Sequence, residues 1–236
     1  MAQDLTSVRA LFFDLDDTLI PRTAVFARFM REFLARHPSA FRAEHAEENL
    51  RDLIAQDRRG TLGRREYARW ICERFPALEL TAAEVQRELE KHFPAFFDPD
   101  ARLLEMLRRY ARAYRLGLIA NGTRTVQRAK LQHTGLAQVL PGVFLSGEQG
   151  IAKPDPRFFQ RALEWAGVEA AGALHVGDDP EDDIAGAAAA GLRTCWVSGP
   201  TPRPYPDRFP GPDFIIAEVL ELPSLLPLPS DKPKGE

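Results

Sequence analysis

The 236 residues are 44 % hydrophobic and 28 % charged, ordinary globular proportions with apolar mass for one sizeable core and a satellite domain. A formal net charge of -3 with interleaved signs provides no basic stripe for nucleic acid and no field for a membrane surface, and no run approaches the ~18 uninterrupted apolar residues of a membrane span. Cys72 and Cys195 stand far apart in no ligand-like spacing, and Met-Ala-Gln-Asp-Leu begins no basic-then-apolar leader, so the expectation is a cytoplasmic protein without disulfide framework or zinc site.

From the N-terminus, the apolar run Ala10 to Phe13 reads as a buried strand and is followed directly by Asp14. Helical spacing follows: Phe26, Phe29, Met30, Phe33 and Leu34 fall at i, i+3, i+4, i+7 and i+8 of one face, and Tyr67, Trp70 and Ile71 supply a second such face. Thr81 to Glu84 is a capping box that opens a helix reaching about Phe93. A crossover between parallel strands needs only about a dozen residues, far fewer than separate Pro21 from Asp98. Residues 21–98 are therefore expected to form a helical cap domain inserted into a core domain made of residues 1–20 and 99–228, with 229–236 a frayed tail.

Beyond the insertion, apolar runs alternate with helical stretches. Leu116 to Ala120, Val143 to Leu145, Ala173 to Val176, Thr194 to Val197 and Phe214 to Ile216 read as further strands. Thr123 is placed to cap a helix ending near Gly135, Asp155-Pro156 starts another, and the Ala187 to Ala190 run stops at Gly191. Gly199 to Pro212 is rich in proline and reads as an extended loop. The fold class expected is α/β, a Rossmann-like doubly wound parallel sheet carrying the inserted α-helical cap. Asp14, Asn121 and Gly177-Asp178 all stand where strands finish, the edge at which such sheets bind ligands.

Asp14 and Asp16, two residues apart as the chain leaves a strand, can face one pocket, which suits a pair in which one carboxylate attacks while the other exchanges protons. A solvated acidic turn is the plainer reading of that pentapeptide. The second acidic group, Asp178-Asp179-Pro180-Glu181-Asp182-Asp183, crowds five carboxylates into six positions and would be stabilised by a hard cation such as magnesium. Glu181 and Asp179 are also explained by placement at a helix N-terminus. Lys153, in a loop locked by two prolines that follow it, could neutralise a carboxylate or phosphoryl oxygen, and Asn121-Gly122 could offer an amide and a backbone N–H to an oxyanion.

Asp14-Leu15-Asp16-Asp17-Thr18, Lys153-Pro154 and the Asp178 to Asp183 spacing together resemble the haloacid dehalogenase-like superfamily of hydrolases, in the branch with a helical cap, from about Arg9 to Leu226. The resemblance implies a magnesium-dependent phosphatase for a small phosphorylated metabolite. Asp14 would be the nucleophile that forms an aspartyl-phosphate, and Asp16 would protonate the leaving oxygen and later activate water. Lys153 would steady the charges, and Thr18, Asn121 and Gly122 would face the substrate. Magnesium would be held by the Asp14 carboxylate, the Asp16 backbone carbonyl and Asp178, with Asp183 orienting that shell.

One departure stands out. The family usually places Ser or Thr before the Asn-Gly, and this chain has Ala120. A hydroxyl bonded to a charged phosphoryl oxygen is worth ~1.5 to 3 kcal/mol, so its loss is expected to weaken turnover about tenfold to a hundredfold unless Thr123 or a water substitutes. A dehalogenase normally lacks the second aspartate, here present as Asp16. A phosphomutase and a weakly active phospho-ligand binder remain alternatives, as do a monomer and a homodimer. His175 is expected to be a packed strand residue, Trp70, Phe93, Phe96 and Phe97 core, and Arg58, Arg59, Arg64 and Arg65, which flank a Gly-containing connection, either residues of a loop that reaches the substrate or, equally, solvated helix ends.

Overall fold

The computed structural model describes residues 5–201 and 203–229. Six strands form one parallel sheet in the order β3-β2-β1-β4-β5-β6: β1 Ala10–Phe13, β2 Arg115–Ala120, β3 Gly142–Leu145, β4 Ala173–Gly177, β5 Arg193–Val197 and β6 Phe214–Ile216. All six coincide with apolar runs in the sequence. β1 pairs with β2 through Phe13 opposite Leu118 and with β4 through Phe13 opposite Val176, so the first strand lies at the centre of the sheet.

The chain divides into two compact units, one holding residues up to Ile20 and from Pro99 onward, the other Pro21–Asp98. The second unit consists of α1 Arg22–Arg36, α2 Ala46–Asp57, α3 Arg64–Arg74 and α4 Ala82–His92, joined by short 3-10 turns. Apolar residues at helical spacing converge there on an aromatic cluster in which Phe26 meets Tyr67 at 5.9 Å and Phe93 edge-on at 5.4 Å. The Thr81 capping box is formed as the sequence indicates. Trp70 and Phe96 are only partly buried, unlike Phe93 and Phe97, because they sit at the rim of that cluster.

Asp57 is buried in the same unit. Arg22 grips it with two bonds of 2.5 and 2.8 Å, and Arg64 adds a third at 3.1 Å. Arg64 is thus no solvated helix end; its guanidinium also lies 5.4 Å from the Phe93 ring centre.

The sheet unit carries α5 Ala101–Tyr110, α6 Arg124–His133, the single turn α7 Ser146–Gln149, α8 Pro156–Ala166, α9 Gly186–Ala189 and α10 Leu222–Leu225. Alternation along the strands sends Ala10, Phe12, Ile119 and Phe144 to one face, where Phe158, Phe159 and Ala162 of α8 cover them. Asp155 caps α8, with proline at its first position, as the sequence signalled. Thr123 stands at the start of α6 but makes no side-chain cap bond, contrary to expectation. A π-helical segment, Pro180–Ala185, precedes α9 and was not foreseen; its start is held by Asp179, which accepts from the Glu181 and Asp182 amides. Among the described residues no helix is long and apolar enough to cross a membrane. The tail expected at 229–236 lies outside the described residues from 230 on.

Candidate active site

Asp14 leaves β1 with its amide donating to the Val176 carbonyl of β4 at 2.9 Å, which fixes it between the ends of two neighbouring strands. Lys153 reaches the same place from the loop before α8. Its ammonium stands 2.6 Å from Asp14 Oδ1 and 2.6 Å from Asp183 Oδ1, with both contacts buried. Asp183 comes from the π-helical segment and lies against Gly177, where an added Cβ would meet its Cγ at 2.2 Å. Only glycine at 177 allows that approach. Both Asp183 oxygens are committed, Oδ1 to Lys153 and His175 Nε2, and Oδ2 to the Asp179 amide at 3.0 Å.

Asp14, Asp178 and Asp183 are all buried, and they bring one carboxylate oxygen each within 4.8 Å of one another. Burial first, then repulsion from Asp183 and Asp178, raises Asp14 well above the ordinary carboxylate range despite Lys153. Burial acts the same way on Asp183, but Lys153 and His175 outweigh it and hold that group below its usual value. Lys153 is held above the usual ammonium value because Asp14 and Asp183 overcome its own desolvation. Burial lowers His175 despite its bond to Asp183, so the ring is neutral at neutral pH. Burial, reinforced by Asp179 and Asp183, pushes Asp182 up to about 6.

Lys153 therefore bridges Asp14 and Asp183 in a buried carboxylate cluster that also includes Asp178. That carboxylate-oxygen set fits a hard divalent cation, with Asp183 itself anchored by Lys153, His175 and the Asp179 amide. The Asp178 backbone is braced as well: its carbonyl accepts from Trp196 Nε1 at 2.9 Å and from Arg203 at 3.0 Å, the latter from the proline-rich loop.

The other expected residues divide. Asp16 lies two residues beyond Asp14 and is engaged by Lys130 and Gln127 of α6, neither of which the sequence reading singled out. Their signal was available: Val126, Gln127, Lys130 and Leu131 share the buried side of α6, and a glutamine and a lysine on a core-facing side require polar partners. Thr18 is buried, with its hydroxyl lacking a hydrogen-bond partner among the described residues.

Asn121 and Gly122 do not present themselves to an oxyanion. The Asn121 amide donates to the Lys153 carbonyl and to Asp182 at 3.0 Å each, and its oxygen accepts from the Lys153 amide at 2.9 Å. Gly122 N–H donates to Ser146 Oγ at 2.9 Å. The pair thus braces the lysine loop. Ala120 is fully buried in β2 and Thr123 is exposed. His175 is the packed strand residue expected, but its bond to Asp183 makes it part of the site's support.

A parallel sheet at whose strand ends a buried lysine and a cluster of carboxylates converge places the chain among hydrolases of the α/β class. Comparison agrees: residues 8–191 match the model of the haloacid dehalogenase-like hydrolases, and the chain belongs to that family. The N-acylneuraminate-9-phosphatase of Mus musculus is 30% identical over 237 residues, covering 94% of this chain and 95% of that one. A phosphoserine phosphatase from Thermus thermophilus is 39% identical over 133 residues, 56% of this chain, and this chain spans about half (51%) of that relative's length. Among solved structures, the HAD-hydrolase YfnB from Bacillus subtilis, bound to magnesium, superposes with a TM-score of 0.75 at 23% identity, covering 94% of this chain and 99% of that one.

Proposed function

We propose that the protein is a magnesium-dependent phosphatase that cleaves a small phosphate monoester through a phosphoryl group carried on Asp14. The observation that carries this reading is the buried cluster of Asp14, Asp178 and Asp183, with Lys153 bridging Asp14 and Asp183 and Asp16 two residues from the proposed nucleophile. The phosphatases among its relatives support the same reaction class.

In the first half-reaction Asp14 attacks phosphorus, the ester P–O bond breaks, and the departing oxygen takes a proton from the Asp16 carboxyl. In the second, Asp16 accepts a proton from water, whose oxygen attacks phosphorus. The bond from Asp14 to phosphorus then breaks, which releases inorganic phosphate and restores both aspartates. Lys153 holds the Asp14 carboxylate in place and offsets charge gathering on the phosphoryl oxygens. Magnesium, held by the Asp14 and Asp178 carboxylates and the Asp16 backbone carbonyl, would supply charge neutralisation at those oxygens. Both cysteines are free thiols, which suits a reducing cytoplasm.

The test is phosphate release from a panel of monoesters with and without magnesium, beside Asp14→Asn. Turnover is expected only with metal and only in the unmodified protein, with the variant reduced on the order of 10⁴-fold or more. A variant as active as the parent, or no phosphate from any ester, would overturn the reading.

A further inference from the structure

Lys130 is a buried lysine outside the Asp14 cluster. Its side chain is 2% exposed, and its ammonium stands 2.7 Å from each oxygen of Asp16. One helical turn earlier, Gln127 donates to Asp16 Oδ2 at 3.2 Å and to the Asn121 carbonyl at 2.7 Å, tying the Asp16 carboxylate to the end of β2. Gly122 makes room for this. Its φ of +133° and missing Cβ, which would otherwise approach Gln127 Nε2 to 2.9 Å, let the glutamine lie across the strand end. From below, the Thr134 hydroxyl donates to the Lys130 carbonyl at 2.8 Å and firms the last turn of α6.

Packing alone does not call for this arrangement. A fully desolvated ammonium is costly unless paired, and a methionine or leucine would fill the same side of α6 beside Val126 and Leu131 without that penalty. An aspartate in a loop has several staggered rotamers open to it, and one that must deliver a proton to a leaving oxygen has to be held in one of them.

We propose that Lys130, assisted by Gln127, is a positioning residue that fixes the Asp16 carboxyl group for proton exchange with the leaving group and with water. The inference rests on the phosphatase reading. Lys130 touches no reacting atom in this scheme and acts only through Asp16.

The consequence is selective. An ester whose leaving group departs readily as an anion needs little help from Asp16, whereas an alkyl ester needs a well-aimed acid. The experiment measures kcat and KM of the magnesium-loaded enzyme on phosphate monoesters of graded leaving-group acidity, from p-nitrophenyl through phenyl to simple alkyl, for wild type, Lys130→Met and Lys130→Arg.

Lys130→Met is expected to lower kcat on the order of 10²-fold at the alkyl end and only about severalfold on the p-nitrophenyl ester, so the dependence on leaving group steepens while KM changes little. Lys130→Arg should bring the slope back toward wild type, because a guanidinium can make the same two-oxygen contact. Uniform loss across the series, no loss anywhere, or an arginine variant as steep as methionine would overturn the proposal. Should Lys130→Met fail to fold, Gln127→Leu carries the same test, with a smaller steepening expected and a parallel shift again overturning it. If wild type with magnesium releases phosphate from none of the esters, the phosphatase reading falls first; if wild type is active and the slope stays put, only the role of Lys130 falls.

Discussion

Two buried carboxylate sites in this molecule are built on opposite charge balances. Asp57, in the helical unit, is one carboxylate held by two guanidiniums through charge-assisted hydrogen bonds. Asp14, Asp178 and Asp183, at the sheet edge, lie within 4.8 Å of one another, and one ammonium, that of Lys153, is shared between two of them. The first arrangement satisfies itself and has nothing to offer a ligand. The second gathers buried carboxylates around a shared cation, the kind of charge arrangement that recurs at functional sites.

The sharpest way to break this comparison is to neutralise each site and read stability. Asp57→Asn leaves two buried guanidiniums facing an amide and should destabilise the protein by about 3–5 kcal/mol, seen as a lower unfolding midpoint in denaturant. Asp14→Asn should do the reverse in metal-free protein. Burial and its acidic neighbours make the Asp14 charge unfavourable despite Lys153, so its removal is expected to raise the unfolding midpoint. A loss of stability from Asp14→Asn would show that Lys153 already balances the cluster.

A further effect is expected in the pH profile. Asp182 is raised in the folded state from 3.8 to about 6, so the fold binds its proton more tightly than the unfolded chain does. Its contribution is full below about pH 4 and is lost as pH rises through about 6. Metal-free Asp182→Asn should therefore show a flatter decline of stability between pH 4 and 6 than the parent. An unchanged slope would assign that decline to other groups.

The fold was legible because each strand is a short apolar run with a polar residue at its exit. Ala10 to Phe13 and Phe214 to Ile216 end in the structure where they end in the sequence. Asp14, Lys153 and Asp183 stood out through their combined spacing rather than singly: an acidic turn after a strand or a lone lysine each has a bland reading, and only the set of motifs together points to one site. Lys130 was hidden by the opposite circumstance, since a lysine in a helix is ordinary until the phase of that helix shows it on the covered side. The bracing contacts of Asn121 were hidden because its Asn-Gly context indicates a turn, whereas the fold brings the Lys153 backbone within reach of both ends of that amide. Such a contact across the sheet leaves no local trace in the chain.

The position of β1 in the middle of the sheet has a bearing on how the protein is made. Its first neighbour, β2, emerges from the ribosome about a hundred residues later and β4 more than a hundred and fifty, or roughly five to thirty seconds at about 5–20 residues per second. Until β4 emerges, Asp14 exists without the strand that supports its amide and without the acidic segment beside it. Catalytic competence therefore arrives late in synthesis and all at once, so a nascent chain holding Asp14 has no working centre to expose to the metabolites around it.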